Sequence, residues 1–493
     1  MDIHESIKVH DAFQFEIKFG YNWGPTRKTL YELETYLFLP SNLGINRHTY
    51  GKDAFYEDVQ GYIRFRTPDI LLQNLAKGEK SPIGRFRSGI RTLVAKPTKR
   101  NFDTYENQVK MICSMFKSAA RDHVAFVAVK DHPADIADLA DKYIAAVGDI
   151  TREYRALRSM LNVPVITPEH FQPYALGDEY LSLLIEWFAY QLLETLKGKA
   201  DEVISTLKSR ILEVVRKEHH YRQQRNYPSI PKADDANEKF VFRSSILKKY
   251  MSSVLFLNTR VRREGGLVEH IAFGLAAGIA VALATWASLW LKSAYSQVSI
   301  PLFLLLVLSY VFKDRIKEVC RIYFGNLLRR WLFDHKLTIL HTQERIGWCK
   351  ESVTLLPDNK VPARIRRLRN RGHLTEIESD WLGEQAILYR KRIKLFSRTL
   401  NQIYADYPLT GINDIIRFNV LKFLNKMDNP FKILYILSGK DYRSIQAKRT
   451  YHITLIITYK YKGFTTFKRF RIVLCRNGIE RIDEIYKDEI KES

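Results

Sequence analysis

The chain has 493 residues, which is too long for one compact domain and predicts two or three. Hydrophobic residues make up 46% of it, enough to build folded cores, so a disordered chain is excluded. The formal net charge is +24, and residues 313–493 hold 37 Lys and Arg against 20 Asp and Glu. This excess favours an anionic partner such as phospholipid head groups or nucleic acid, without choosing between them.

The cysteines and the N-terminal segment indicate a cytoplasmic setting. The four cysteines form no CxxC pair: Cys113, Cys320, Cys349 and Cys475. They are typical of free thiols in a reducing compartment, not of a disulfide framework or a zinc site. The N-terminal segment MDIHESIKVHD is polar and acidic in part, unlike a signal peptide. We therefore expect that the first 260 residues are not exported.

The chain begins with strand patterns. Residues 13–21 alternate aromatic and apolar with polar side chains, which predicts a strand, and Tyr31–Leu39 predicts a second one. Turn chemistry at Asn22–Pro25 lies between them. Asp53 is a candidate N-cap for a short helix over residues 54–66. The opening segment is thus predicted to be a strand hairpin.

Residues 102–260 have a helical pattern. Helices are predicted near 104–130, 134–161, 178–197, 200–223 and 238–257. The prolines at Pro228 and Pro231 mark an exposed loop before the last of them. We expect residues 1–260 to form one α+β region in which the strand hairpin is joined to a helical domain.

Two apolar runs then lie side by side at 267–312. Ile271–Leu291 contains no charge and as a helix is about 31 Å long, which matches a hydrocarbon core of roughly 30 Å. Val298–Phe312 is also uncharged, and the six residues Lys292–Gln297 connect the two runs. This pattern predicts a transmembrane helical hairpin.

The charges flanking this hairpin predict its orientation. Basic residues precede the first run and follow the second, whereas the connector offers only Lys292: Arg260, Arg262 and Arg263 before, and Lys313, Arg315, Lys317 and Arg321 after. The positive-inside rule then places both termini in the cytoplasm. We expect a two-pass protein of the inner (plasma) membrane.

Small residues recur every fourth position on the first run, at Gly274, Gly278 and Ala282. Such a face allows helices to approach closely in lipid. It could pack against the second run of the same chain, or form the seam of a homo-oligomer. Neither run has a central ionisable residue, which argues against a transporter or a proton channel within one chain.

Residues 313–345 are predicted to continue as a basic juxtamembrane helix. Apolar residues recur at helical spacing, with Arg315, Lys317 and Arg321 among the cations around them. A basic amphipathic helix beside a membrane can lie on the anionic inner leaflet. The alternative is a stalk helix that packs on its neighbours.

Residues 346–493 change to a strand pattern. Strands are predicted near 386–396, 412–424, 431–437, 451–461 and 470–474, with turns at Lys462-Gly463 and Arg476-Asn477-Gly478. We expect an antiparallel sheet of four to six strands at about 387–486. Together with the preceding regions, this predicts an α+β multidomain membrane protein with a C-terminal β-rich cytoplasmic domain.

Two basic runs in this region are candidate phosphate contacts: Arg364, Arg366, Arg367, Arg369 and Arg371, and then Arg390, Lys391 and Arg392. They could contact lipid head groups or nucleic acid by charge alone. The aromatics Tyr451, Tyr459, Tyr461 and Phe470 could stack bases, although aromatics that alternate on a strand are more often core.

No linear motif in the sequence indicates a catalytic activity. The sequence contains no GxxxxGK[ST], no GxGxxG after a strand, no HExxH and no GxSxG. We therefore predict no cofactor or metal site, and our first hypothesis is a membrane-anchored cytoplasmic sensor or scaffold. The alternatives are a membrane-tethered nucleic-acid-binding effector of a stress or phage response, and an enzyme whose active site has no linear motif.

Overall fold

The structure is a computed structural model of the chain. It describes residues 3–23, 28–199, 201–264, 266–294, 300–369, 384–403, 407, 409, 411–461 and 464–485. Several predicted features lie wholly or partly outside the described residues: the turns at Asn22–Pro25 and Lys462-Gly463, half of the connector Lys292–Gln297, and Arg371. The fold is a mixture of helices and strands with a large antiparallel sheet.

The described strands are β1 (Ile3–Asp11), β2 (Gln14–Asn22), β3 (Thr29–Leu39), β4 (Val59–Phe65), β5 (Phe256–Arg263), β6 (His335–His341), β7 (Glu344–Pro357), β8 (Gln385–Leu395), β9 (Gly411–Asn419), β10 (Phe431–Ser438), β11 (Asp441–Lys448), β12 (Tyr451–Tyr461), β13 (Phe464–Cys475) and β14 (Gly478–Ile485).

The described α-helices are α1 (Lys52–Asp58), α2 (Pro82–Ala95), α3 (Lys99–Ala128), α4 (Pro133–Ala156), α5 (Arg158–Leu161), α6 (Pro168–Thr195), α7 (Glu202–Gln224), α8 (Glu238–Ser252), α9 (Gly266–Ala294), α10 (Ile300–Trp331), α11 (Ala363–Arg369), α12 (Ser397–Gln402) and α13 (Leu421–Leu424).

Three predicted helices end earlier than expected. The helix predicted over 54–66 is wrong beyond Asp58, because the chain turns there into the strand β4. The helix predicted over 238–257 ends at Ser252, and β5 begins four residues later. The juxtamembrane helix predicted over 313–345 ends at Trp331, and β6 begins at His335. In all three places a strand follows the helix, and pairing in the sheet provides its backbone hydrogen bonds.

One sheet of 12 strands is assembled from both ends of the chain. Its order is β1-β2-β9-β4-β5-β6-β7-β8-β3-β12-β13-β14. The two predicted N-terminal strands are present as β2 and β3, but β2 lies between β1 and β9, and β3 lies between β8 and β12. The expected pairing of these two strands in a hairpin is therefore not what the structure shows.

The sheet curls until its first and last strands meet. The Ile479 N–H of β14 donates to the Ala12 carbonyl in the β1–β2 turn, at 2.8 Å. Gly478 has a φ of +146°, and a Cβ there would lie 2.5 Å from the Ala12 oxygen, so this close approach favours glycine. Aromatic side chains such as Phe15 and Phe418, with ring centres 5.3 Å apart, fill the inside.

The chain divides into two compact units. The first contains residues 1–63, 257–403 and 412–493, and it includes the curled sheet and the helices α9 and α10. The second contains residues 64–256 and 404–411 and is built from helices α2 to α8. Long helices with N-caps form this second core, among them the amphipathic α3, capped by Thr98, and the largely apolar α6 with its Thr167 capping box.

Candidate membrane-binding site

The two apolar helices are inserted between neighbouring strands of the sheet. β5 ends at Arg263 and β6 begins at His335, and these two residues face each other in the antiparallel register. Everything between them, including α9 and α10, therefore leaves the sheet and returns to it at one place. The sequence indicated the two helices but gave no sign that their flanks form adjacent strands.

Asp334 holds this root of the helical hairpin. Its carboxylate accepts hydrogen bonds from Tyr56 Oη (3.1 Å) and from the Val353 backbone N–H (2.8 Å). Its own N–H donates to the Glu351 carbonyl at 2.8 Å, and its carbonyl accepts from the Glu264 N–H at 3.0 Å. These backbone and side-chain hydrogen bonds thus hold the chain in place both where it leaves the sheet and where it returns.

α9 presents an apolar surface to its surroundings. In the described part of the chain one helix is long and apolar enough to cross a membrane, judged by length and composition: its 18-residue segment Phe273–Trp290 has a mean hydropathy of 1.6. Only 11% of this segment is buried, unlike the core helix of a soluble domain. Trp286 and Leu289 are 67% and 63% exposed. The predicted crossing by a second helix is not confirmed by the same criterion.

α10 is apolar at its start and charged afterwards. Phe303 and Leu304 are 63% and 60% exposed, and the uncharged run ends at Phe312. Lys313 lines the same groove as Leu283 and Ala284 of α9. The charged part of α10 therefore begins beside the middle of the apolar segment of α9.

The predicted head-group cations of α10 lie exposed along this charged part. Arg315, Lys317 and Arg321 all point to solvent. The Arg321 guanidinium lies 5.0 Å from the ring centre of Phe273, at the beginning of the α9 segment. This contact places the cations of α10 level with the first half of the apolar segment of α9.

Within one chain α9 meets α10 through alanine. Ala276 and Ala280 are fully buried, whereas Gly274, Gly278 and Ala282 are exposed. A Cβ added at either glycine would meet no atom within 4 Å. The small-residue stripe is therefore not the surface that packs against α10, although the sequence left that alternative open.

The first basic run is divided by burial. Arg364, Arg366 and Arg367 are exposed on α11. Arg369 is buried, and its guanidinium lies 3.0 Å from the Glu384 carboxylate. Three of the five arginines are thus available to an anionic partner, one serves a buried ion pair, and Arg371 lies outside the described residues.

The second basic run is divided by the alternation of β8. Arg390 donates to Ser352 Oγ at 3.2 Å, and Arg392 pairs with Glu32 at 2.7 Å. Lys391 points inward and pairs with Asp414 at 2.5 Å. Because neighbouring residues of a strand face opposite sides, these three cations do not form one phosphate-binding surface.

Lys391 belongs to a polar group inside the sheet that the sequence analysis missed. Burial opposes its charged form, but Asp414, Cys349 and Glu351 outweigh this and raise the pKa of Lys391. Burial also raises the pKa of the Cys349 thiol. Tyr389 Oη donates to Glu351 at 2.6 Å. The available signal was Asp414, an acid beside the apolar residues Ile415 and Ile416 of strand β9.

The helical unit contains its own charge network. Arg155 pairs with Glu218 at 2.6 Å and with Asp178 at 3.3 Å. The hydroxyls of Tyr221 and Tyr227 donate to Asp178 at 2.6 and 2.8 Å. Burial, followed by the Asp178 charge, raises the pKa of Tyr221 to about 12. These groups satisfy one another, which is typical of a structural network.

The remaining predicted sites are core or are not supported. Tyr459 and Phe470 are buried in the sheet, so they are not a stacking surface for bases. Across the described ranges, no group of three or more His, Cys, Asp and Glu side chains is arranged to hold a metal ion.

Comparisons with known proteins do not assign this chain to a family. A scan against protein-family models gave no match. Neither the curated proteins nor the solved structures gave one.

Proposed function

We propose that this chain is a membrane-anchored protein. The α9–α10 hairpin inserts into a bilayer and tethers the rest of the chain, which senses or recruits a partner without catalysis. The observation that carries the proposal is the exposed apolar segment Phe273–Trp290 on a hairpin rooted between the paired strands β5 and β6. Large exposed apolar surfaces mark membrane or protein interaction sites, and a surface of this length fits lipid.

The proposed orientation follows from charge. Arg260, Arg262 and Arg263 lie on β5 at the root of the hairpin, and Lys292 lies at its other end. The positive-inside rule favours a two-pass topology in the inner (plasma) membrane with both termini in the cytoplasm. The cations of α10 would then meet anionic head groups of the inner leaflet.

The unequal helices set a condition on this topology. Ile300–Phe312 offers about 20 Å of uncharged helix, against a hydrocarbon core of roughly 30 Å. A full crossing therefore requires the bilayer to thin locally, or Lys313 and Arg315 to extend their side chains toward the head groups. Both responses are common and cost little compared with an unrelieved charge at the bilayer centre.

Protease accessibility in vesicles tests the proposal. In inverted inner-membrane vesicles, protease should digest the soluble parts and leave the hairpin protected; in right-side-out vesicles the soluble parts should survive. A cysteine at Ser293, in a Cys320→Ser background, should react with an impermeant maleimide only from outside. Digestion of the soluble parts from outside would refute the orientation. A membrane-bound protein with an unreactive S293C would refute the two-pass crossing alone.

Nucleic-acid binding is the second candidate. It is supported by Arg364, Arg366 and Arg367, which are exposed together on α11. Phosphate contacts of this kind weaken steeply with salt. A gel shift of the detergent-solubilised full chain at low and high salt tests it, with the triple Arg→Gln variant as the matched control. Equal mobility of nucleic acid with and without protein at low salt would remove this candidate.

A further inference from the structure

The hairpin formed by β10 and β11, which we call the arm (residues 431–448), stands apart from the large sheet. Its two strands pair only with each other in the described structure and form a separate two-stranded sheet. Fourteen of its sixteen strand residues are exposed, and Leu437 is 90% exposed. An isolated two-stranded hairpin is marginally stable in water, so this element needs a partner surface.

The arm exposes apolar side chains on one face in particular. Phe431, Ile433, Tyr435 and Leu437 alternate along β10, and the register places Tyr442 opposite Leu437. All five are exposed, with Tyr435 at 69% and Tyr442 at 65%. Single exposed apolar residues are ordinary, but five on one face of a projecting hairpin form a continuous patch of the kind that marks an interaction site.

The arm leaves the sheet at the same end as the membrane hairpin. From β5 to β12 the sheet passes through five consecutive antiparallel pairings, by way of β6, β7, β8 and β3. Five reversals of direction place the end of β5 and the beginning of β12 at one end of the sheet. α9 follows β5 directly, and the arm directly precedes Tyr451, where β12 begins.

The charge of the arm fits an anionic surface. Lys432, Lys440 and Arg443 have no carboxylate partner among the described residues, and the projecting part has one acid, Asp441. Lys448 pairs with Glu480 at the base. The register places Lys432 and Arg443 on the face of the arm opposite its apolar patch. The arm can therefore turn its apolar side chains toward acyl chains and its cations toward anionic head groups, which favours a membrane as the partner.

We propose that the arm is a second membrane contact. This proposal rests on the proposed membrane anchoring. The arm lies in the head-group region of the same leaflet. Its face carrying Tyr435, Leu437 and Tyr442 contacts the acyl chains, and its cations contact anionic head groups. Amphipathic elements of this composition bury their apolar face about 5–10 Å into the boundary between head groups and acyl chains. Aromatic side chains favour that zone.

An environment-sensitive label on the arm tests this proposal. The full chain carries Leu437→Cys in a Cys320→Ser background, because the other three cysteines are buried, and the thiol bears a nitrobenzoxadiazole group. In vesicles of phosphatidylglycerol and phosphatidylcholine, we expect blue-shifted emission. A nitroxide high on the acyl chain should quench it more strongly than one near the chain end. The matched control is Gln343→Cys, an exposed residue between β6 and β7 at the opposite end of the sheet, whose label should stay in water.

The outcomes separate this proposal from the anchoring on which it rests. A water-like label at position 437 in protein that floats with the vesicles overturns the arm contact and leaves the anchor standing. Protein that does not float with vesicles overturns the anchor itself. A blue shift that appears in detergent without vesicles, and grows with protein concentration, assigns the arm to a second copy and also overturns the membrane contact. Replacing Lys432, Lys440 and Arg443 by Gln should reduce quenching in anionic vesicles and not in neutral ones.

Discussion

At the scale of single residues, the ion pair inside the sheet shows how position decides the role of a charge. Lys391 is one of three consecutive cations, yet it is 4% exposed and faces Asp414, while its neighbours face outward. The alternation of β8, with Tyr389 and Ile393 also buried, places Lys391 on the inner face, so its predicted role as a phosphate contact is wrong. Its partner, on a strand that is not adjacent in the sheet, is not readable in the sequence.

Removing one member of this pair should destabilise the protein strongly. Lys391→Met leaves an uncompensated buried carboxylate, and we expect a loss of about 3–5 kcal/mol in the free energy of unfolding. Chemical denaturation in detergent, followed by circular dichroism, measures it. The double variant Lys391→Met/Asp414→Leu should recover much of the loss, since both charges are then absent.

The control for this prediction is an exposed ion pair. Arg481 and Asp483 are 60% and 38% exposed, so Arg481→Met should cost less than about 1 kcal/mol. If Lys391→Met were as mild as Arg481→Met, water would have to reach Asp414, and the burial described for this ion pair would be wrong.

At the scale of elements, the helices differ in how closely their neighbours approach. Gly177 of α6 has the Tyr154 hydroxyl and Val109 Cγ1 against its Cα, and an added Cβ would lie 2.6 Å from that Cγ1. Gly148 of α4 is exposed and has open space around it. Both glycines lie within helical patterns in the sequence, so packing alone distinguishes them.

Alanine at these two glycines should act in opposite directions. Gly177→Ala overpacks the core and should lower the free energy of unfolding by about 1–3 kcal/mol. Gly148→Ala should raise it by up to about 1 kcal/mol, because alanine is the better helix former and meets no atom. Thermal unfolding of both variants measures the two changes in the free energy of unfolding. A stabilised Gly177→Ala would show that α6 and α3 are less tightly packed than described.

A second pair of substitutions distinguishes the two faces of α9. Ala280→Leu places bulk in the contact with α10 and should destabilise the hairpin by about 1–3 kcal/mol. Gly278→Leu meets open space within the chain and should leave unfolding in detergent almost unchanged. Light scattering then measures the molar mass of the Gly278→Leu variant in detergent. If the stripe of small residues joins copies of the chain, this variant should have a lower molar mass than the unmodified protein. Equal destabilisation by both variants would contradict the packing through alanine.

At the scale of the whole molecule, the α9–α10 hairpin is an insertion into a continuous pair of strands. β5 and β6 are in register up to Arg263 and His335, and a further hydrogen bond links Glu264 to Asp334. The sheet therefore does not need α9 and α10 to connect its strands. We therefore expect the sheet to fold independently of the α9–α10 hairpin.

Excision of the hairpin should yield a protein that still folds but no longer stays with the membrane. Joining Glu264 to Asp334 through an Asn-Gly turn closes β5 and β6 as a tight hairpin, for which two-residue loops are favoured. After a high-salt wash and ultracentrifugation, we expect the excised protein in the supernatant with its β-sheet circular dichroism retained, and the full chain in the pellet. An excised protein that remains in the membrane pellet would show that another segment carries the anchoring.

The sequence by itself determined the local elements and their order. Apolar periodicity, prolines and turn residues marked the helices between 99 and 224, the apolar segment of α9, and the strands β8 and β12 to β13, because these signals act over a few neighbouring residues. The exposed arm was also predicted in part, as a strand at 431–437.

Only the tertiary structure decided which strands pair and which charges meet. β3 lies between β8 and β12, more than 340 residues away along the chain, and the sequence carries no local mark of such a partner. The same holds for Lys391 with Asp414, and for the common end of the sheet from which the α9–α10 hairpin and the arm leave. Long-range pairing is chosen by the closing of one hydrophobic interior, which is a property of all the strands together.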